Sequence, residues 1–199
     1  MFFFLFGLIG CNRSAVPRED TAKTTQHSEQ KPDLDLFRIC VCEGEFGGFP
    51  GYSLKDLEAS YKHCAECLVA ISGNDIEQYI VGRKPDGKVE IVLNAKFSNV
   101  LRKRSPRNRV ANLVRQNPFS VSLHNSTLYI GICYPRIGAA ALNFPVMHIE
   151  EEKEKIRLLI GDRQGRWSSL GNGPSEDVDI DPPELRRFFS DFNLKSLRF

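Results

Sequence analysis

Four cysteines fall in two close pairs, Cys40 with Cys42 and Cys64 with Cys67, and these pairs constrain the fold more than any other feature of the chain. Leu36 to Cys42 reads as a strand, short, partly β-branched and ended by a glycine-rich stretch. Side chains two apart on a strand point to one face, so Cys40 and Cys42 share one. A helix is predicted to follow: Ser53 with Asp56 resembles a capping box with Asp in place of Glu. Leu57, Tyr61, Cys64 and Leu68 then recur at helical spacing, which puts Cys64 and Cys67 on one helix face. Strand and helix are joined by the segment Glu43 to Tyr52, so four sulfurs are expected to converge. Three outcomes stay open: two disulfides in an oxidising compartment, a four-cysteine zinc site with His63 as a substitute ligand, or buried thiols acting as small hydrophobes. A thioredoxin-like pair wants its first cysteine at a helix N-terminus, whereas Cys64 is expected near a C-terminal end. No His follows Cys67, which excludes a haem-attachment motif. Cys133 is expected to be buried in a strand.

The N-terminus supplies an address. An apolar run from Phe2 to Gly10 ends at Cys11. At roughly 9 residues it is too short for a ~30 Å hydrocarbon core but fits the h-region of a signal peptide. Leu8-Ile9-Gly10-Cys11 resembles the lipobox of bacterial lipoproteins. That resemblance implies residues 1–10 as a signal peptide and Cys11 as the lipidated first mature residue, anchored in the membrane at the cell envelope. No basic residue precedes Phe2, so a start codon further upstream is expected. The stretch from Asn12 to Asp33 has almost no apolar content and balanced charge, and is predicted to be a disordered tether of roughly 25 Å r.m.s. reach. His27 within it is expected to be idle.

Residues 34–199 are sized for one domain, and the pattern predicts a single α+β domain of antiparallel hairpins with three to four helices. Gln78 to Arg83 and Val89 to Ala95 form a hairpin around Pro85-Asp86-Gly87. Phe119 to Leu123 and Leu128 to Tyr134 form another around His124-Asn125-Ser126. Ser98 to Gln116 is helical, broken at Pro106, with Ser105 capping the second piece. Pro145 to Ile160 reads as two strands with a charged turn. A helix from Pro182 to Phe192 closes the chain, with Asp181 as its cap.

The net charge of +2 hides an asymmetry. No Asp or Glu lies between Glu90 and Glu150, while Arg102, Lys103, Arg104, Arg107 and Arg109 cluster there. Such a block either pairs with the acid-rich segments Glu150 to Glu154 and Glu176 to Asp181, or meets an anionic lipid or cell-wall polymer. It carries no interleaved aromatics and no nucleic-acid motif. Phe46, Phe49 and Tyr52 interleave with glycines after the first strand and are candidates for a binding loop, though the stretch lacks nucleotide-binding spacing. Glu176 to Asp181 lacks the glycine of a calcium loop and reads as a half-buried strand. His124 and His148 are expected to be structural, and no nucleophile turn accompanies them. No catalytic residue and no cofactor beyond the zinc alternative is indicated. The expected role is non-enzymatic binding or scaffolding at the envelope. The alternatives are an envelope enzyme with an unrecognised site or, were the signal false, a cytoplasmic zinc protein binding nucleic acid.

Overall fold

The computed structural model describes residues 33–44, 53–61, 64, 66–82, 88–134, 144–161, 178–192 and 194–197. Cys11, the tether apart from Asp33, most of the Glu43 to Tyr52 loop with Phe46, Phe49 and Tyr52, His63, the Pro85-Asp86-Gly87 turn, and Glu176 and Asp177 lie outside them.

In chain order the strands are β1 (Phe37–Cys42), β2 (Cys67–Ser72), β3 (Ile76–Val81), β4 (Lys88–Leu93), β5 (Pro118–Leu123), β6 (Ser126–Cys133), β7 (Val146–Glu151), β8 (Ile156–Gly161) and β9 (Lys195–Leu197). The helices are α1 (Leu54–Tyr61), α2 (Ala95–Arg104), α3 (Val110–Leu113) and α4 (Pro183–Asp191). The strands form one mixed sheet in the order β2-β1-β5-β6-β7-β8-β4-β3-β9. The expected hairpins are present as antiparallel pairs β3–β4, β5–β6 and β7–β8. Two pairings are parallel, β6–β7 and β3–β9.

The chain itself requires this sheet to curl. β2 stands first in the order and β3 eighth. In a flat sheet they would lie about 34 Å apart at the usual ~4.8 Å spacing. Yet only the single turn Gly73–Asp75 separates them in sequence, and a link that short spans about 14 Å at most. The two flanks therefore approach each other, and one face of the eight long strands encloses a common core. Ile39 and Val41, Val69 and Ile71, Ile91 and Leu93, Val121 and Leu123, and Leu158 and Ile160 all point into it. The corner carries its own capping box, with Ser72 N–H and Ser72 Oγ both donating to Asp75 Oδ2, at 2.8 and 3.0 Å.

Three helical segments complete the core. α2 and α3 connect β4 to β5 and contribute Leu101, Val110 and Val114 to the interior. Asn94 caps α2, accepting from Phe97 N at 2.9 Å, so the helix starts before Ser98 and the preceding strand stops at Leu93. Ser105 is not a side-chain cap, because its hydroxyl donates back to Leu101 O at 2.6 Å. α4 brings Leu185, Phe188 and Phe189 into the core. Phe189 stacks on Tyr79 at 4.2 Å and meets Phe37 edge-on at 4.9 Å. α1 packs outside the sheet, where Leu57 joins Ile132, Phe144 and Val146 in a second cluster.

Asp181 is not the cap of α4 either. Pro182 occupies that position, and Asp181 is buried. Asp181 accepts from Tyr79 Oη at 2.8 Å and from Arg186 Nε at 2.7 Å. The expected strand with outward acids is absent at Val178 to Asp181: Asp179 is exposed but Asp181 faces inward. Burial raises the ionisation of Tyr79 above its ordinary value of 10, aided by the facing charges of Tyr129 and Asp181. Burial also raises Tyr129, with Asp181 and Asp179 adding to it. Both groups are protonated in the fold and would ionise near 10 once unfolded. Their stabilising contribution is therefore complete below pH 10 and is lost as pH rises above it. The expected slope is about 2.7 kcal/mol per pH unit above pH 10 for the two groups together. Unfolding midpoints between pH 8 and 11 test this, and Tyr129→Phe should halve the slope. An unchanged midpoint up to pH 11 would show that neither burial matters.

Candidate functional site

The outer face of β2-β1-β5 carries the largest concentration of unusual chemistry. β1 alternates: Phe37, Ile39 and Val41 face the core, while Arg38, Cys40 and Cys42 face out. β2 pairs antiparallel with β1, placing Ala70 opposite Cys40 and Cys67 opposite Cys42, with a register shift between Val41 and Cys42. Two disulfides cross this pair of strands, Cys40–Cys67 and Cys42–Cys64. Their Cα separations are 5.4 and 5.6 Å, inside the usual window.

The convergence of the four sulfurs is as expected, but the elements holding them are not. α1 stops at Tyr61, Cys64 follows it in an irregular segment, and Cys67 opens a strand. Helical spacing at Leu57 and Tyr61 continues by coincidence through Cys64 and Leu68. The run Cys67-Leu-Val-Ala-Ile-Ser72 instead alternates against β1, and its buried positions Val69 and Ile71 face the core. The Ser53–Asp56 cap is formed as predicted: Ser53 N and Oγ both donate to Asp56 Oδ2, at 2.9 and 2.8 Å. Those bonds, the backbone N–H first, hold the Asp56 carboxyl below its ordinary value.

With all four sulfurs in bridges, no thiolate among them is left to bind zinc. Sulfurs of Cys40, Cys42 and Cys64 do lie within 4.8 Å of one another, but as members of adjacent disulfides. The bridges likewise exclude the buried-thiol alternative for these four, while Cys133, expected to be buried in a strand, is free and enclosed in β6, its thiol pushed up by burial.

Beside the bridges lies an open groove of about 590 Å³. Arg38, Tyr61, Cys64, Cys67, Ser120 and Ser122 line it. Tyr61 Oη and Ser120 Oγ share a 2.6 Å hydrogen bond across its floor. Arg38 Nη2 stands 3.2 Å from Cys67 Sγ. The groove thus offers hydroxyls, one guanidinium, disulfide sulfur, the carboxylates of Asp35 and Glu66 and the amide of Asn125. Sequence reasoning missed it because neither β2 nor its pairing with β1 was foreseen.

The basic segment divides in two. Arg102 does not belong to a free patch: its Nη2 donates to the backbone carbonyls of Glu152 and, at 3.1 Å, Lys155, latching α2 to the β7–β8 turn. Lys103, Arg104, Arg107 and Arg109 are exposed. Among the described residues none of these four has a carboxylate within ion-pair distance. Arg104 reaches only the Leu68 carbonyl, at 3.4 Å. The acids of the 150–154 segment are partly used elsewhere, Glu152 with Arg157 at 2.9 Å and Glu151 with the Ala111 N–H. His148 Nδ1 donates to Tyr134 O at 2.7 Å. His124 sits exposed in a two-residue turn with Asn125, both at positive φ. No described helix is long and apolar enough to cross a membrane.

No known protein family, curated protein or solved structure matches this chain.

Proposed function

We propose that the protein is a lipid-anchored bacterial envelope protein with a non-enzymatic binding role, tethered through Cys11 and exposing its domain outside the cytoplasm. The observation that carries this reading is Leu8-Ile9-Gly10-Cys11 followed by a polar run that cannot build a core. The two disulfides favour the same compartment, because such bridges persist where the medium is oxidising.

Metabolic labelling with a fatty-acid analogue tests the anchor, in a bacterial host and with the native upstream sequence retained. Wild type should carry the label and fractionate with membranes. Cys11→Ser should lose the label and become soluble or remain unprocessed. An unlabelled wild type would remove the anchor and the envelope assignment with it.

The exposed cations Lys103, Arg104, Arg107 and Arg109 are the surface proposed to meet anionic phosphate groups, each worth about 1 kcal/mol near a charged membrane. Co-sedimentation of residues 34–199 with vesicles containing phosphatidylglycerol should fall steeply as salt rises. It should also fall when Lys103, Arg104 and Arg107 are changed to Ser. Equal sedimentation of variant and wild type at low salt would reduce the surface to solvated charge.

A further inference from the structure

The two bridges are close enough to exchange with each other. Cys40 Sγ and Cys42 Sγ, one from each bridge, lie 3.9 Å apart on the outer face of β1. Both are buried, Cys40 at the edge of the groove and Cys42 away from it, while Cys64 and Cys67, their partners, are half-buried and line the groove. Among the described residues, Cys67 is the one of the four sulfurs with a guanidinium beside it, that of Arg38.

We propose that the four cysteines form a thiol–disulfide exchange unit that accepts two electrons from a dithiol entering the groove. Its reduced form would hold Cys64 and Cys67 as thiols and a Cys40–Cys42 bridge. One thiolate of the dithiol attacks Cys64 Sγ. The Cys42–Cys64 bond breaks, and its electron pair stays on Cys42. The Cys42 thiolate is buried, with no cation beside it among the described residues, and it attacks Cys40 Sγ. A Cys40–Cys42 bond forms, the Cys40–Cys67 bond breaks, and the electron pair passes to Cys67, where Arg38 stabilises the thiolate. The second thiol of the dithiol then attacks its own sulfur in the mixed disulfide and releases Cys64. The dithiol leaves as a disulfide, and its two protons pass to Cys64 and Cys67. Residues two apart on a strand lie about 6.7 Å apart, at the upper end of the Cα separations a disulfide spans. The Cβ atoms must also close to about 3.8 Å, so the bridge requires the backbone to contract at the register irregularity between Val41 and Cys42. The exchange-active pair is then Cys64 and Cys67, the first outside any helix or strand and the second the first residue of β2.

The order of cleavage in the chain makes the test direct. Trypsin separates Ile39–Lys55, which holds Cys40 and Cys42, from His63–Arg83, which holds Cys64 and Cys67. Either native bridge alone keeps these two peptides joined. The oxidised full chain is titrated with dithiothreitol as the dithiol, quenched with iodoacetamide, digested and weighed. At the two-electron stage the peptides should come apart, with Cys64 and Cys67 alkylated and an internal bridge in Ile39–Lys55. Peptides that remain joined at that stage, simultaneous alkylation of all four cysteines, or resistance to the dithiol in the folded state would each overturn the proposal. Arg38→Gln should slow the two-electron step roughly tenfold and raise the pH at which Cys67 becomes alkylated by about one unit. Arg38→Lys should restore most of both. No change in either readout would remove Arg38 from the exchange. Neither result depends on whether Cys11 carries lipid.

Discussion

Replacing all four bridged cysteines with alanine is expected to cost about 5–6 kcal/mol, whereas removing either bridge alone should cost only about 2. The bridges span 27 and 22 residues, and the shorter loop is nested inside the longer. Alone, each closes a loop whose lost chain entropy corresponds to about 3.5 kcal/mol. Once one is in place, the other fixes only the short ring through Cys40 to Cys42 and Cys64 to Cys67. Closing that ring is worth about 2 kcal/mol. The two bridges therefore back each other up. Urea unfolding of Cys40→Ala/Cys67→Ala, of Cys42→Ala/Cys64→Ala and of the quadruple variant measures this. Losses near 3.5 kcal/mol for each single removal would show that the bridges act independently. A domain holds about 5–15 kcal/mol in all, so the quadruple variant should stand at the edge of unfolding at 37 °C.

A substitution of comparable effect is expected at Gly131, which faces inward on β6 between Tyr129 and Cys133. It lies opposite Phe119 of β5 in the register. A Cβ there would fall within 2.6 Å of Phe119 ring carbons and meet the Pro145 carbonyl oxygen. That carbonyl accepts from Ile132 N at 3.0 Å where β6 meets β7, so it is not free to withdraw. Gly131→Ala should therefore destabilise the domain by about 3 kcal/mol, the upper range of overpacking. Phe119→Leu placed on top should recover part of the loss by clearing the ring, but not the part due to the carbonyl. A Gly131→Ala protein with an unfolding midpoint within a few degrees of wild type would show that β6 and β7 can separate cheaply at this point.

The elements legible in the sequence are those fixed by short-range chemistry. The three hairpins follow from turn residues flanked by alternating apolar positions, and the Ser53–Asp56 cap from two residues three apart. β2 was hidden because Leu57, Tyr61, Cys64 and Leu68 keep helical time across a boundary that pairing with β1 decides. Asp181 and Ser105 look like caps by position. Their partners, Tyr79 in one case and Leu101 O in the other, depend on packing that short-range pattern does not report. Arg102 was indistinguishable from its basic neighbours until the β7–β8 turn came within its reach. The groove is least legible of all, since it exists only because β2, β1 and β5 lie side by side.

The strand order also sets how the chain must find its fold. β1 with β2, β3 with β4, β5 with β6 and β7 with β8 are neighbours both in sequence and in the sheet. Three joins are not: Val41 must find Phe119, Val92 must find Arg157, and Tyr79 must find Lys195. Each of these seams closes a long loop before any contact repays it, which is the slow kind of step in folding. Both disulfides tie β1 to β2 and the residues just before it, and cross none of these seams. They tighten the unfolded chain around one strand pair and leave the long-range closures to non-covalent pairing. Oxidation thus governs how firmly the domain stays folded far more than how fast it arrives there.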